Sequence, residues 1–406
     1  MIPLRYNYRN LVVRWKTTLL TATGFTLVVT LLVVMLAFIQ GLEAMAASAG
    51  RPGNVIILRD GANDELFSDI NVADVHNKLY ELLYRSRAIV GLDVGDPWIS
   101  MEVYSIATQE LPPDEPGGRP RFRFLQIRGV EEPEVAGAVH DLTLKPGGRW
   151  FSRSGKECVM GEGIARTLGL DVGGTFRPRP DLEWEVVGIM ASGGSPFNSE
   201  IWAKREEVGR YFGKDNAETQ QSFFTSITVT TPNHATARQV AAYLRNLNEI
   251  KVHALPERDY YEELSKSNQM FHGTALVIAL FMAVGGVFGL MNTMFAAVSQ
   301  RVKDIGVLRI LGYGRRQILV SFLLESLLIA AVGGGLGLLA GSACHGLELT
   351  GQMSSGQGSG KTVVFRMIVN QLVLAAGAVF TLGMGLLGGL VPAWSAMRLR
   401  PLEALR

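Results

Sequence analysis

Four stretches of this 406-residue chain are too long and too apolar to stay in water, and they constrain how the rest can fold. The first runs from Thr17 to Gly41 without a charged side chain; the others lie near Gly273–Val298, Ile318–Cys344 and Val369–Val391. Each is long enough to cross a hydrocarbon core of ~30 Å as a helix. Inside that core the backbone finds no water to bond, so an apolar stretch of this length must satisfy its own amides by coiling. The spans account for a composition that is 48% hydrophobic and only 19% charged, too apolar for an ordinary soluble enzyme. Ala44-Met-Ala46 imitates a signal-peptidase site. The run before it exceeds the roughly 7–15 residues of a signal core, so 17–46 reads as a retained anchor.

The material between the first and second spans differs in kind. Over 47–268 charges, prolines and turn dipeptides return, and no stretch is apolar enough to cross a bilayer. Asn54-Val-Ile-Ile-Leu-Arg59 predicts a strand ending at the turn Asp60-Gly61. Ala73–Arg85 places Val75, Leu79, Leu82 and Leu83 on one helical face. Ser226–Thr230, His234–Leu247 and Val252–Leu255 repeat the strand–helix–strand order. Short strands such as Phe122–Arg128 and Trp184–Ile189 lie between, interrupted by Leu111–Pro120 and the Ser192–Pro196 loop. The fold class is therefore an α-helical membrane protein with four transmembrane helices. A large extracytoplasmic α+β domain of two lobes is inserted between helices 1 and 2.

Charge sets the orientation. Arg5, Arg9, Arg14 and Lys16 precede the first span; Arg301, Lys303, Arg309, Arg315 and Arg316 fill the loop 299–317; Arg398, Arg400 and Arg406 follow the last. Four crossings put all three basic segments on one side, which the positive-inside rule makes cytoplasmic. Leu4, Tyr8, Leu11 and Trp15 form a stripe beside those cations, so 1–16 reads as a cytoplasmic amphipathic helix on the lipid surface. The remainder, 269–406, is a three-helix module carrying the loop. A net charge of +2 gives no global basic field for nucleic acid.

Little in the chain points to catalysis. Ser355-Gly-Gln-Gly-Ser-Gly-Lys-Thr362 ends like a phosphate-binding loop, but its first position is serine and no strand leads into it. It reads as part of a flexible glycine-rich loop over 346–366. With no Walker motif, energy must come from another polypeptide. The six histidines are scattered, and Cys158 and Cys344 have no metal-ligand spacing. No catalytic residue, metal site or cofactor is expected in this chain. Glu325 is costly within a span, roughly 2.5–3.5 kcal/mol on insertion scales, and reads as a structural tie to a neighbouring helix or to the loop. The spans offer few other polar side chains, among them Asn292, Thr293, Ser321, Ser326, Ser342 and Thr381. That is too little to line a path for a polar solute. Gly285/Gly289, Gly333/Gly337/Gly341 and Gly385/Gly389 are spaced for close helix contact.

Several motifs carry a family resemblance. Val284-Gly-Gly286, Met291-Asn292, Arg301-Val-Lys-Asp-Ile-Gly-Val-Leu-Arg309, Leu311-Gly312, Arg315–Ile318, Leu324-Glu-Ser326, Gly333–Gly337 and the closing Pro392–Arg406 resemble the carboxy-terminal module of MacB/FtsX-type ABC transporter permeases. Gly161–Gly174 and Val186-Val-Gly-Ile189 are similar to the outer domain of that family. The resemblance implies a permease subunit without a fused ATPase, working as a homodimer or with a paralogous permease in the inner membrane. A separate cytoplasmic ABC ATPase would hold ATP and magnesium. It assigns coupling to Arg301, Asp304, Ile305, Gly306, Leu308, Arg309 and Gly312, and leaves Asn292 and Glu325 with intramembrane structural roles. Asp304 stands where glutamate is usual, and Ile310 where a small residue is common. The implied function is ATP-driven movement of the periplasmic domain that exports or extracts a substrate from the periplasm or outer leaflet. A periplasmic adaptor (membrane fusion protein) or a lipoprotein would be the envelope partner. The alternative is a transmembrane regulator, like the division proteins of the family, that switches an envelope hydrolase.

Overall fold

The computed structural model describes residues 9, 12–13, 15–48, 50–74, 78–79, 81, 99–111, 121–152, 155–191, 195–216, 221–246, 251–266, 269–355 and 359–399. The amphipathic segment 1–16, most of the helix expected over 73–85, and the tail beyond 399 lie largely outside them. The chain forms two compact units: residues 1–41, 269–347 and 367–406 in one, and 42–268 with 348–366 in the other.

Helix α1 (Trp15–Ala47) leads from the first unit into the second. There follow β1 (Asn54–Arg59), β2 (Ile70–Asn71), β3 (Ile99–Leu111) and β4 (Arg121–Val130), then α2 (Pro133–Val139) and β5 (Thr143–Leu144). Next come β6 (Glu157–Gly161), α3 (Glu162–Leu168), β7 (Thr175–Arg179), β8 (Leu182–Ala191), a 3-10 turn over Pro196–Ser199, and β9 (Glu200–Lys204). The stretch closes with α4 (Arg205–Tyr211), β10 (Asp215–Asn216), β11 (Gln221–Phe224), β12 (Ser226–Thr230), α5 (His234–Arg245), β13 (Val252–Pro256) and α6 (Glu257–Lys266).

One ten-stranded sheet underlies this α/β domain, in the order β13, β1, β12, β3, β4, β9, β6, β8, β5, with β7 paired to β8. Several of its strands are covered on both faces. In β1 the run Asn54–Leu58 is buried throughout, and only Arg59 emerges. Such a strand reads as a continuous apolar run rather than an alternating one. β8 begins by alternating, with Leu182 and Trp184 in and Glu183 and Glu185 out, before it too becomes fully covered. Helix α5 starts where the Asn233 side chain accepts the Thr236 N–H, and it buries Ala237, Val240, Ala241 and Leu244 along one face.

The helical unit contains α1, α7 (Gln269–Gln300), α8 (Val302–Ile310), α9 (Arg315–Ser342) and α10 (Gln371–Arg398). Among the described residues four helices, all but the short α8, are long and apolar enough to cross a membrane. Helix α9 packs on α1 and α10, and glycine makes that possible. A Cβ on Gly333 would lie 2.5 Å from the Ala22 carbonyl oxygen, and one on Gly337 would lie 2.8 Å from that of Thr26. The same approach lets Thr26 Oγ1 donate to the Gly333 carbonyl at 2.9 Å. On its other side α9 meets α10, where Gly385 and Gly389 face Ala330 and Ser326. Gly285 and Gly289, by contrast, face open space, and Leu276, Leu280, Phe281 and Phe288 make that side of α7 an apolar surface.

The segment 346–366, expected to be a flexible loop, is a β-hairpin. Its strands β14 (Glu348–Ser355) and β15 (Ser359–Arg366) pair in unbroken register from Glu348↔Arg366 to Ser355↔Ser359. The strand-forming run Thr362-Val-Val-Phe365 outweighs the glycines before it. The sequence that imitates a phosphate loop lies in this hairpin, and the residues after it continue as strand, not as the helix a phosphate loop requires.

The α1–α9 contact predicts a sharp asymmetry. Gly337→Leu is expected to lower stability by about 1–3 kcal/mol through overpacking. Gly335→Leu, whose Cβ meets nothing within 4 Å, should leave it unchanged. Thermal unfolding of the detergent-solubilised chain distinguishes the two.

Candidate functional site

The sequence-predicted coupling residues lie on α8 and at its ends. Arg301 precedes the helix, turning the chain with φ −113° and ψ 15°. Gly312 ends it: at φ +95° it occupies the left-handed region that favours glycine. There the Gly312 N–H reaches the Arg309 carbonyl at 3.3 Å and the Tyr313 N–H reaches that of Leu308 at 3.1 Å. Two residues later α9 begins, with the Gln317 side chain accepting the Gly314 N–H at 3.0 Å.

Burial sorts these residues into two faces. Arg301, Ile305 and Gly306 are buried, with Ile305 in the apolar core of the helical unit and Leu308 packed partly against it. Arg309 is half-buried. Lys303, Asp304, Val307, Ile310, Leu311 and Gly312 are exposed. Positions 303, 304, 307, 310 and 311 follow helical spacing, so a ridge of Val307, Ile310 and Leu311 faces outward beside one cation and one anion. Val307 is 47% exposed, Ile310 60% and Leu311 69%. Only Asp304 and Gly312 of the predicted set share that face. The motif pointed to the helix, and its 3.6-residue period would have separated the inward side chains from the outward ones.

Arg301 is held inward by Glu325. Its Nη1 donates to Glu325 Oε2 at 2.9 Å and its Nη2 to Oε1 at 2.9 Å, a bidentate pair between the start of α8 and the body of α9. Both side chains are excluded from solvent, at 5% and 3% exposure for the residues. Truncating one partner of such a pair leaves a buried charge uncompensated. Asn292 is placed differently: it lies on the exposed side of α7, where no hydrogen bond to another described residue reaches it.

A second cluster, invisible in the sequence pattern, sits inside the α/β domain. The Arg128 guanidinium on β4 donates to Glu200 Oε2 at 2.7 Å and to Glu65 Oε1 at 2.9 Å, and it also pairs with Glu102. Tyr104 lies over it, with its ring centroid 5.0 Å from Cζ. His140 Nε2 lies 2.7 Å from Glu102 Oε1, and its Nδ1 lies 3.3 Å from Glu257 Oε1. Ser226 donates to Glu65 at 2.6 Å and the Trp202 indole to Glu200 at 2.9 Å. Four glutamates thus meet one arginine and one histidine at the centre of the sheet. Burial alone would raise the Glu102 carboxyl, but the His140 and Arg128 charges hold it at about 2. Burial likewise opposes a charge on His140, yet Glu102 and Glu257 push it up to about 10. The Ser100 hydroxyl donates to Glu102 at 2.5 Å, so the hydroxyls here are spent on carboxylates, and no metal-binding group is found among the described residues. Its arrangement braces β3, β4, β9 and the start of α6 against one another. Both cysteines are buried and unpaired, and burial pushes the Cys158 thiol up.

Two family descriptions match the chain: a MacB-like periplasmic core domain over residues 18–247 and an FtsX-like permease C-terminal domain over residues 276–401. A macrolide export ATP-binding/permease protein MacB of Nitrobacter winogradskyi is 30% identical over 54% of this chain and 32% of its own length. The MacB of Rhodopseudomonas palustris is 27% identical over 69% of this chain and 44% of its own. An uncharacterised ABC transporter permease, YvrN of Bacillus subtilis, is 33% identical over 36% of this chain and 33% of its own. The chain therefore spans less than half the length of these relatives. Among solved structures, the periplasmic region of MacB from Actinobacillus actinomycetemcomitans is matched over 54% of this chain and 94% of its own, with 16% identity and a TM-score of 0.33.

Two measurements test these clusters. Glu325→Ala is expected to destabilise the chain by about 3–5 kcal/mol, whereas the joint replacement Arg301→Met/Glu325→Leu should restore most of that loss. Thermal unfolding in detergent reads both. In the α/β domain, His140 is raised from 6.5, so its stabilisation is complete below pH 6.5 and lost as pH climbs toward 10. Glu102 is lowered from 4.5, so its contribution is complete above pH 4.5 and lost as pH falls toward 2. Denaturant unfolding monitored by the buried tryptophans should decline between pH 6.5 and 10, and His140→Gln should flatten that decline.

Proposed function

Because the chain belongs to the MacB/FtsX family of ABC transporter permeases, we propose that it couples ATP hydrolysis in a separate ATPase subunit to movement of its α/β domain. That movement drives export or extraction of a substrate from the periplasm or outer leaflet. The observation that carries this reading is the outward ridge of Val307, Ile310 and Leu311 on α8, flanked by Lys303 and Asp304. A short helix showing three large apolar side chains to solvent is built to enter a groove on a partner. The Arg301–Glu325 pair fixes that ridge to α9, so a displacement of α8 is passed to a helix packed on both α1 and α10.

Orientation follows from charge. Arg301, Lys303, Arg309, Arg315 and Arg316 place α8 on the cytoplasmic side, where an ATPase would dock. One crossing of α7 then separates α8 from the α/β domain, which is periplasmic in this arrangement. The working unit is a dimer of permease chains with the ATPase on the cytoplasmic face. An adaptor or lipoprotein would be engaged at the periplasmic domain.

The helices themselves support force transmission rather than passage of cargo. Glu325 is occupied by Arg301, Ser326 bonds the Leu323 carbonyl and Thr381 that of Gly377. Those polar groups are buried and already engaged within the bundle, which favours a structural role over coordination of a passing solute.

The test is direct. Ile310→Asp or Leu311→Asp, in full-length chain reconstituted in nanodiscs with the ATPase that co-purifies with it, should lower permease-dependent ATP turnover at least tenfold. Insertion and thermal stability should stay as in the parent chain, because both positions point into solvent. Unchanged turnover would remove α8 from the mechanism, and the absence of any co-purifying ATPase would sink the reading as a whole.

A further inference from the structure

We propose that the β14–β15 hairpin is a mechanical tether that delivers movement of α9 and α10 to the central sheet of the α/β domain. The inference rests on the permease reading above and extends it to a segment between two membrane helices.

The hairpin is docked, not free. Val363, Val364 and Phe365 are buried, Val364 to 1% exposure. Val364 fits against Gly163 of α3 so closely that a Cβ there would lie 2.7 Å from its Cγ1. The Val364 N–H donates to Ser199 Oγ at 2.7 Å, and Gln126 Nε2 donates to the Thr362 carbonyl at 2.6 Å. Thr350 Oγ1 lies 3.1 Å from Thr167 Oγ1, and Arg166 pairs with Glu348. These contacts engage β4, the Pro196–Ser199 turn and α3.

Where the hairpin grips is as telling as how firmly. Gln126, which holds Thr362, also accepts the Tyr104 hydroxyl at 2.6 Å, and the Tyr104 ring covers the Arg128 guanidinium. Ser199, which holds Val364, is followed directly by Glu200, the bidentate partner of Arg128. Both polar anchors therefore end beside the buried ionic cluster, whose ion pairs are costly to break. At the other end the ladder continues past the hairpin: the Gly346 N–H reaches the Met367 carbonyl at 2.9 Å and the Met367 N–H that of Leu347 at 2.8 Å. From there the chain runs into α9 on one strand and α10 on the other. A two-stranded hydrogen-bonded ribbon resists extension and shear, unlike the flexible glycine-rich loop its composition suggests.

A hairpin that merely covered an edge of the domain would show the same burial, so the decisive readout is transmission. Amide hydrogen exchange of β4 and residues 196–204 would be compared with and without ATP and vanadate, in full-length chain with its ATPase in nanodiscs. The parent chain should show at least a twofold ATP-induced change in exchange there. Replacing Glu348–Arg366 with a glycine-serine linker should remove that change while leaving protection in β1 and β12 intact. Thr167→Cys/Thr350→Cys in a Cys344→Ala background, oxidised to lock the hairpin to α3, should keep it in full. The tether is overturned if the linker variant responds to ATP like the parent chain, if the locked variant does not respond, or if the parent chain shows no change. Ile310→Asp is the separating control. It should abolish the response through α8, and if it does not, α8 is removed from the mechanism independently of the hairpin.

Discussion

A guanidinium and a carboxylate, both shut away from water, decide how the helical unit can move. The Arg301–Glu325 pair joins the first residue before α8 to the interior of α9 through two parallel hydrogen bonds. Buried as they are, neither charge can be left alone at acceptable cost. The pair therefore joins α8 to α9 by a contact that is costly to break. Ile305 and Leu308 add apolar contact on the same side. The opposite side of α8 is left as a ridge of exposed aliphatic side chains. One short helix thus has a face fastened to the bundle and a face free to be pushed.

A comparable device stabilises the α/β domain. Ion pairs buried in a sheet are poor sources of net stability, because desolvation offsets most of the attraction. They are costly to break, however, and that property suits an element that receives force. The Arg128 cluster ties together residues from five separate segments, 65, 102, 140, 200 and 257, around one side chain of β4. The hairpin anchors at Gln126 and Ser199 lie one hydrogen bond or one peptide from it. Stiffness and attachment coincide at the same strand.

The sequence made some of this readable and hid the rest, for identifiable reasons. The four spans were legible because hydrocarbon imposes a length and composition that no other context requires. Strands of the α/β domain were legible from residues such as Asn54–Arg59 and Trp184–Ile189, which lie within β1 and β8. That one continuous sheet underlies the domain was not, since pairing partners such as β4 and β9 are far apart in the chain. Glu325 announced itself as an anomaly, but its partner lies 24 residues away and carries no mark that separates it from Lys303 or Arg309. The Arg128 cluster draws on residues from Glu65 to Glu257, with no spacing rule to reveal them. The hairpin was misjudged because glycine and serine over 354–360 mask the strand signal of Thr362-Val-Val-Phe365 that follows.

The distribution of polar groups then argues for what the four helices are for. A conduit needs side chains whose hydrogen-bonding capacity is held open for cargo. Here Glu325, Ser326 and Thr381 spend theirs on Arg301 and on helix carbonyls, and Thr26 spends its own on Gly333. Glycines bring α1, α9 and α10 into direct backbone and side-chain contact at Gly333, Gly337, Gly385 and Gly389. Close packing of this kind makes helices shift together rather than part, since interiors at such density transmit strain instead of absorbing it. A closely packed bundle, with an exposed ridge on one connecting helix and a docked ribbon on another connection, supports the proposal that these helices carry motion rather than cargo.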